Sequence, residues 1–145
     1  MLAIASDHAG YPLKQALIQH LTDRGYSLDD LGCDSTASVD YPAYAAKVCQ
    51  GIVDGRYEKG ILVCGTGVGM SMAANKVPGI RAALCNDCFC TELTRQHNDA
   101  NVMCIGGRVV GEELAKKIVD IFLTTEFSNG ANHNRRIQMI KDMER

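Results

Sequence analysis

The sequence predicts an α/β fold: a single domain with a doubly wound, five-stranded parallel sheet and helices on both faces. Three observations predict it. Short apolar runs alternate with segments whose apolar residues recur every three to four positions, the periods of buried strands and amphipathic helices. Glycine-rich or polar turns separate the two kinds of segment. The chain has 145 residues, 46% of them apolar, which is enough for one continuous core. Parallel neighbours need crossovers, and helices between the strands supply them.

Leu2–Ser6 reads as a buried strand. After Gly10, Leu13, Ala16, Leu17 and Leu21 follow helical spacing to Gly25, with Pro12 suited to the first turn. Ser27–Leu31 is a second short strand. Tyr41-Pro42 opens a helix whose Tyr44, Ala45, Val48 and Ile52 share a face up to about Gly55. Gly60–Cys64 is the third strand. A glycine turn and a short helix to about Lys76 follow, then a strand at Arg81–Leu84, a helix from Cys88 to Gln96 and a strand at Val102–Ile105. Glu112–Leu123 spaces Leu114, Ile118 and Phe122 four apart, and Asn132–Met143 closes the chain as a helix. This is the Rossmann/flavodoxin-like pattern, with ligands expected beyond the carboxyl ends of the strands. Asp7-His8, Cys64-Gly65 and the cluster Gln96-His97-Asn98-Asp99 are expected to share that edge.

Composition excludes some classes. A net charge of −2 provides no basic field for nonspecific nucleic-acid binding. No apolar run approaches the ~18 residues of a membrane span, and the opening residues meet Asp7 and His8 too soon for a signal peptide. Seven cysteines, an odd count without an export signal, fit reduced thiols in the cytosol better than a disulfide framework. Cys85, Cys88 and Cys90 lie close together, but zinc needs a fourth ligand, and small buried hydrophobes are the expected role.

The run Gly60 to Gly69 leads an apolar strand into Cys64 and then into Gly65, Gly67 and Gly69 ahead of a helix. It places a thiol beside backbone donors able to stabilise negative charge. A P-loop would need Gly-Lys-Ser/Thr after its glycines, and a dinucleotide fingerprint its third glycine one position later. A thiol phosphatase loop would need arginine where Met70 stands. What remains is a nucleophile or base beside an anion hole, or a buried cysteine ending a strand. Asp7-His8 is either a capping aspartate with a solvated histidine or part of a site, and His97 either ends a helix or serves as a general acid. Arg95, Arg108, Arg135 and Arg136 are the cations near the late loops and last helix, each readable as a surface charge.

In order along almost the whole chain, Ser6-Asp7-His8-Ala9-Gly10, Val39-Asp40-Tyr41-Pro42, Cys64 to Gly69, Ala73 to Ala82, Gln96 to Asn101 and Gly107 to Gly111 resemble the ribose-5-phosphate isomerase B group, which includes galactose-6-phosphate isomerase subunits. The resemblance implies a cofactor-free, metal-free aldose–ketose isomerase working through a cis-enediolate, with ribose 5-phosphate and ribulose 5-phosphate as its pair. It implies Cys64 as the base between C2 and C1, with the amides around Gly65, Gly67, Gly69 and Met70 stabilising the enediolate, each worth about 3 kcal/mol. Thr66 helps proton movement between O1 and O2, and His97 opens the furanose ring. Asp7 and Asn98 orient hydroxyls, Tyr41 lies near the ring oxygen, and His8 meets the phosphate. The resemblance also implies a cytosolic homodimer with shared sites, a tetramer being the larger alternative. Its C-terminal helix, about 132–143, reaches the partner, and Arg108 and Arg136 serve the partner's phosphate site.

One position departs from the pattern. The family's Gly-Gly-Arg-His is here Gly130-Ala131-Asn132-His133, so Asn132 replaces a charged phosphate ligand, with Arg135 close enough to compensate. The presence of His97 leans toward the ribose enzyme, while allose 6-phosphate, galactose 6-phosphate and tetrulose phosphates stay open as substrates. The competing classes are a non-catalytic sugar-phosphate-binding module and a thiol redox or phosphatase protein. Met70 and the lack of a resolving cysteine beside Cys64 disfavour the last.

Overall fold

In the computed structural model, which describes residues 1–144, strand β1 (Leu2–Ser6) is buried along its whole length. No residue in it is charged, so neither face can meet water at low cost, and it takes an interior place in a sheet covered on both sides. The chain continues through α1 (Tyr11–Asp23), β2 (Leu28–Asp30), α2 (Tyr41–Val53), β3 (Lys59–Cys64) and α3 (Val68–Ala74). It ends with β4 (Ala82–Leu84), α4 (Cys88–Asn98), β5 (Val102–Gly106), α5 (Glu112–Thr124) and α6 (Ala131–Asp142). Every predicted element is present. The outer strands β2 and β4 are three residues each, shorter than predicted, because an edge strand pairs on one side only and is half exposed.

All four pairings are parallel, in the order β2-β1-β3-β5-β4. The period-2 alternation of side chains sorts the core into two layers. Ile4, Ile61, Val63, Met103 and Ile105 pack with Leu13 and Leu17 of α1 and Ile118 and Phe122 of α5. The alternate positions Ala3, Ala5, Leu62, Cys64, Val102 and Cys104 pack with Ala45 and Val48 of α2 and Met70 and Ala74 of α3. Small residues on that second face let α2 and α3 approach closely.

Two buried cations complete the frame, and an apolar pattern does not reveal either. Lys14 on α1 has no exposure; its Nζ donates to Asp30 Oδ1 at 2.7 Å and to the Cys33 carbonyl at 2.6 Å, tying α1 to the chain leaving β2. Arg95 on α4, expected as a surface charge, is 6% exposed. Its Nε donates to the Thr125 carbonyl at 3.1 Å, and its Nη1 to the Ala100 carbonyl at 2.6 Å and to Asp99 Oδ1 at 3.0 Å. It satisfies carbonyls that the loops around α4 and α5 would otherwise leave unpaired.

Candidate active site

The strand order reverses between β1 and β3, and the crevice beyond their carboxyl ends is where an open α/β sheet binds ligands. Asp7 and His8 leave β1 there, Cys64 to Gly67 leave β3, and Arg108 follows β5. Asp7, His8, Cys64, Gly65, Thr66 and Arg108 line one cavity of about 430 Å³ together with Tyr41, Gly69 and Met72. Cys64 is the last residue of β3 and 5% exposed. The Gly67 N–H donates to its Sγ at 3.1 Å, a bond that stabilises negative charge on sulfur.

Local geometry explains the glycines. Gly67 has φ +82°, and a Cβ there would lie 2.6 Å from Leu84 Cδ1 and 3.0 Å from the Ile105 backbone. Gly69 faces Tyr41, whose ring would stand 2.7 Å from an added Cβ. Asn86, which belongs to no sequence motif, staples the turn: its Nδ2 donates to the Thr66 carbonyl at 3.0 Å while its Oδ1 accepts from Gly106 N–H at 2.9 Å. Only its position, just past the carboxyl end of β4, could have signalled that role. The Thr66 side chain is exposed at the mouth, and its Oγ1 accepts from Val68 N–H at 3.2 Å.

The anion hole differs in one respect from expectation. The Gly67 amide is directed at sulfur, so it is not open to a substrate oxygen. The first turn of α3 leaves the Gly69 and Met70 amides without intrahelical partners, and these remain for an anion. The Met70 side chain itself is fully buried in the core. Asp7 is buried too, its Oδ1 accepting from Gly10 N–H at 3.0 Å, so it caps the turn into α1 as well as lining the cavity. His8 Nδ1 accepts from Val39 N–H at 3.2 Å, which directs Nε2 as the remaining ring nitrogen.

Arg108 was expected to serve a partner's site. Instead it lines the same cavity as its own chain's Cys64: its N–H donates to the Gly65 carbonyl at 3.0 Å, because β5 lies beside β3. His97 and Asn98 depart in the opposite direction. They end α4, and a helix between parallel strands runs back toward the amino edge, so within one chain they stand at the far side of the sheet from Cys64. The expectation that all the clusters share one edge fails for that reason.

At that far edge His97 stacks on His133, ring centroids 4.3 Å apart and planes 9° from parallel. Asn132 and Arg136 lie on the same opening turns of α6, exposed as Arg135 is. Burial, then His97 and Arg136, hold His133 below the ordinary histidine range. The chain therefore carries two separate clusters. One has a thiol, anion-binding amides and Arg108; the other has an imidazole pair, two amides and an arginine.

The remaining cysteines form no third site. Cys85 is buried, which pushes its thiol up to about 11, but Cys88 is half-buried and Cys90 exposed, so the expected burial of all three fails. Among the described residues no three His, Cys, Asp or Glu side chains converge as metal ligands would, and no helix is long and apolar enough to cross a membrane.

Comparison with known proteins matches this arrangement to one family. The family model described as Ribose/Galactose Isomerase matches residues 2–140. The chain is 46% identical over 143 residues to ribose-5-phosphate isomerase B of Escherichia coli, covering 99% of this chain and 95% of that protein. It is 41% identical over 132 residues to the D-erythrulose-4-phosphate isomerase of Pectobacterium atrosepticum, covering 90% and 87%. The solved ribose-5-phosphate isomerase B of Clostridium thermocellum superposes with a TM-score of 0.96 at 46% identity, over 98% of this chain and 95% of that one. With a family model matched over nearly the whole chain and relatives of the same fold above 40% identity, the chain belongs to the ribose/galactose isomerase family and is similar to its type-B ribose-5-phosphate isomerases.

Proposed function

We propose that this sugar-phosphate isomerase interconverts D-ribose 5-phosphate and D-ribulose 5-phosphate without a cofactor, using Cys64 as the base. The observation that carries the reading is the Gly67 N–H held on Cys64 Sγ at 3.1 Å inside a cavity that also holds Asp7, His8 and Arg108. The thiolate takes the proton from C2 of the open-chain aldose, the C–H electrons form the C1=C2 bond, and negative charge passes to O1. The Gly65, Gly69 and Met70 amides stabilise that enediolate. The Thr66 hydroxyl moves a proton between O2 and O1, and Cys64 returns its proton to C1. Asp7 and Tyr41 orient the sugar, while His8 and Arg108 hold the phosphate.

The second cluster completes the first in a homodimer. An isologous interface would bring one protomer's His97, Asn98, Asn132 and Arg136 over its partner's Cys64 cavity, with α6 as the element that reaches across. His97 then opens the furanose ring, Asn98 orients a hydroxyl, and Asn132 and Arg136 meet the phosphate. Asn132 supplies hydrogen bonds but no charge, which weakens the hold on phosphate; a tetrulose phosphate is a second candidate substrate, as the Pectobacterium relative's name suggests. The cytosol is the compartment that suits free thiols and a sugar phosphate.

The deciding experiment replaces Cys64 by Ala and follows ribose 5-phosphate in heavy water. Turnover and deuterium entry at C2 should fall by on the order of 10³-fold with the melting temperature unchanged. Retained exchange at wild-type rate would remove Cys64 from the chemistry and favour a binding module.

A further inference from the structure

We propose that His133 is a positioning residue for ring opening: stacked on His97, it fixes the plane in which that imidazole meets the sugar. This rests on the reading of His97 as the ring-opening group. Catalytic imidazoles are commonly oriented by a hydrogen bond from one ring nitrogen to a carboxylate or carbonyl. Among the described residues neither His97 nor His133 makes such a bond. The rings touch face to face instead, 4.3 Å apart and 9° from parallel, so stacking is the contact that sets the His97 plane. On another side, an added Cβ at Gly130 would lie 3.2 Å from His133 Cδ2, so the glycine at the start of α6 leaves room for the ring.

The surroundings of His133 keep that ring neutral. His133 lies in the first turn of α6, where the helix's partial positive charge disfavours a cation. Arg136 on α6 adds to that bias at His133. Of the other charged groups on these elements, Arg95 and Asp99 pair with each other, Glu92 accepts from Gln96 and Asp142 from Gln138, while Arg135 and Lys141 are exposed on α6. Parallel rings at this distance cannot both be charged without repulsion. The pair thus keeps a neutral platform under the ring that donates to and accepts from the sugar.

Ring opening can be read apart from isomerisation by exchange between the anomers of ribose 5-phosphate, measured by two-dimensional exchange NMR in the Cys64→Ala background. That protein should accelerate anomer exchange. Adding His133→Ala should lower the acceleration about ten-fold, the scale of a misplaced catalytic group. His133→Phe, which keeps a flat ring without a titrating nitrogen, should restore most of it. Melting temperatures read alongside separate a folding defect from a positioning one, and His133→Asn serves where the alanine variant does not fold. Unchanged exchange in both His133→Ala and His133→Asn, or a phenylalanine variant as poor as alanine, would overturn the proposal. So would a wild-type enzyme that isomerises while Cys64→Ala accelerates no anomer exchange. A wild type that exchanges anomers but never isomerises would instead sink the proposed reaction and leave the His133 role standing.

Discussion

Asn132 illustrates how much a single side chain can be read without its surroundings. Its departure from the family pattern was visible in the sequence, and the structure puts it, exposed, on the first turn of α6 beside His133. If that turn faces a partner's bound phosphate, Asn132→Arg should lower the Michaelis constant for ribose 5-phosphate about three- to ten-fold through a charge-assisted contact. Steady-state kinetics across pentose and tetrose phosphates check it; constants unchanged for every substrate would show that position 132 does not face phosphate. Gly67 was legible in kind but not in role. The residue type announced a turn, yet only coordinates reveal that its amide serves the sulfur and that its missing Cβ makes room for Leu84. Arg95 was not legible at all, since a cation with two flanking polar residues looks the same in sequence whether it faces water or carbonyls.

Among the elements, α4 and its two flanking loops depend on that arginine. Removing it by Arg95→Ala leaves the Ala100 and Thr125 carbonyls without this donor and should cost about 2–4 kcal/mol of stability. Urea unfolding measures the loss, and a change below about 0.5 kcal/mol would mean that the guanidinium holds nothing together. The two helical layers carry a second prediction through their thiols. Burial pushes Cys49 and Cys85 up to about 11, above the ordinary 9.0, and Cys104 higher than its ordinary value as well. Between the unfolded value and about 11 the unfolded chain has lost protons that the folded chain keeps, so the slope of stability with pH is negative. Stability from these groups is complete below the unfolded value and lost as pH rises toward the folded one. The urea midpoint should therefore fall from about pH 9 upward, and the fall should be shallower in Cys49→Ala. An equal slope in the variant would show that this thiol titrates alike in both states.

For the whole molecule, the separation of the thiol cluster from the histidine pair is the consequential fact. If an isologous dimer shares them, as proposed, a complementation test is decisive. Cys64→Ala and His97→Ala proteins, each inactive, should regain about a quarter of wild-type activity per site when unfolded and refolded together in equal amounts, because half the dimers are mixed and each mixed dimer has one intact site. No recovery, with mixed dimers shown to form by mass spectrometry, would place both groups in separate functions. What the sequence by itself determined is the alternation of five strands and six helices, the thiol at a glycine turn, and the family to which those motifs point. These follow from periodicity and local turn chemistry, which are short-range properties of the chain. Tertiary structure alone decided that β5 slips between β3 and β4, that Arg108 therefore joins its own Cys64, and that His97 stands at the opposite edge on His133. The physical reason is that strand order and the direction of each crossover are set by pairing between distant segments, which leave no local period to read.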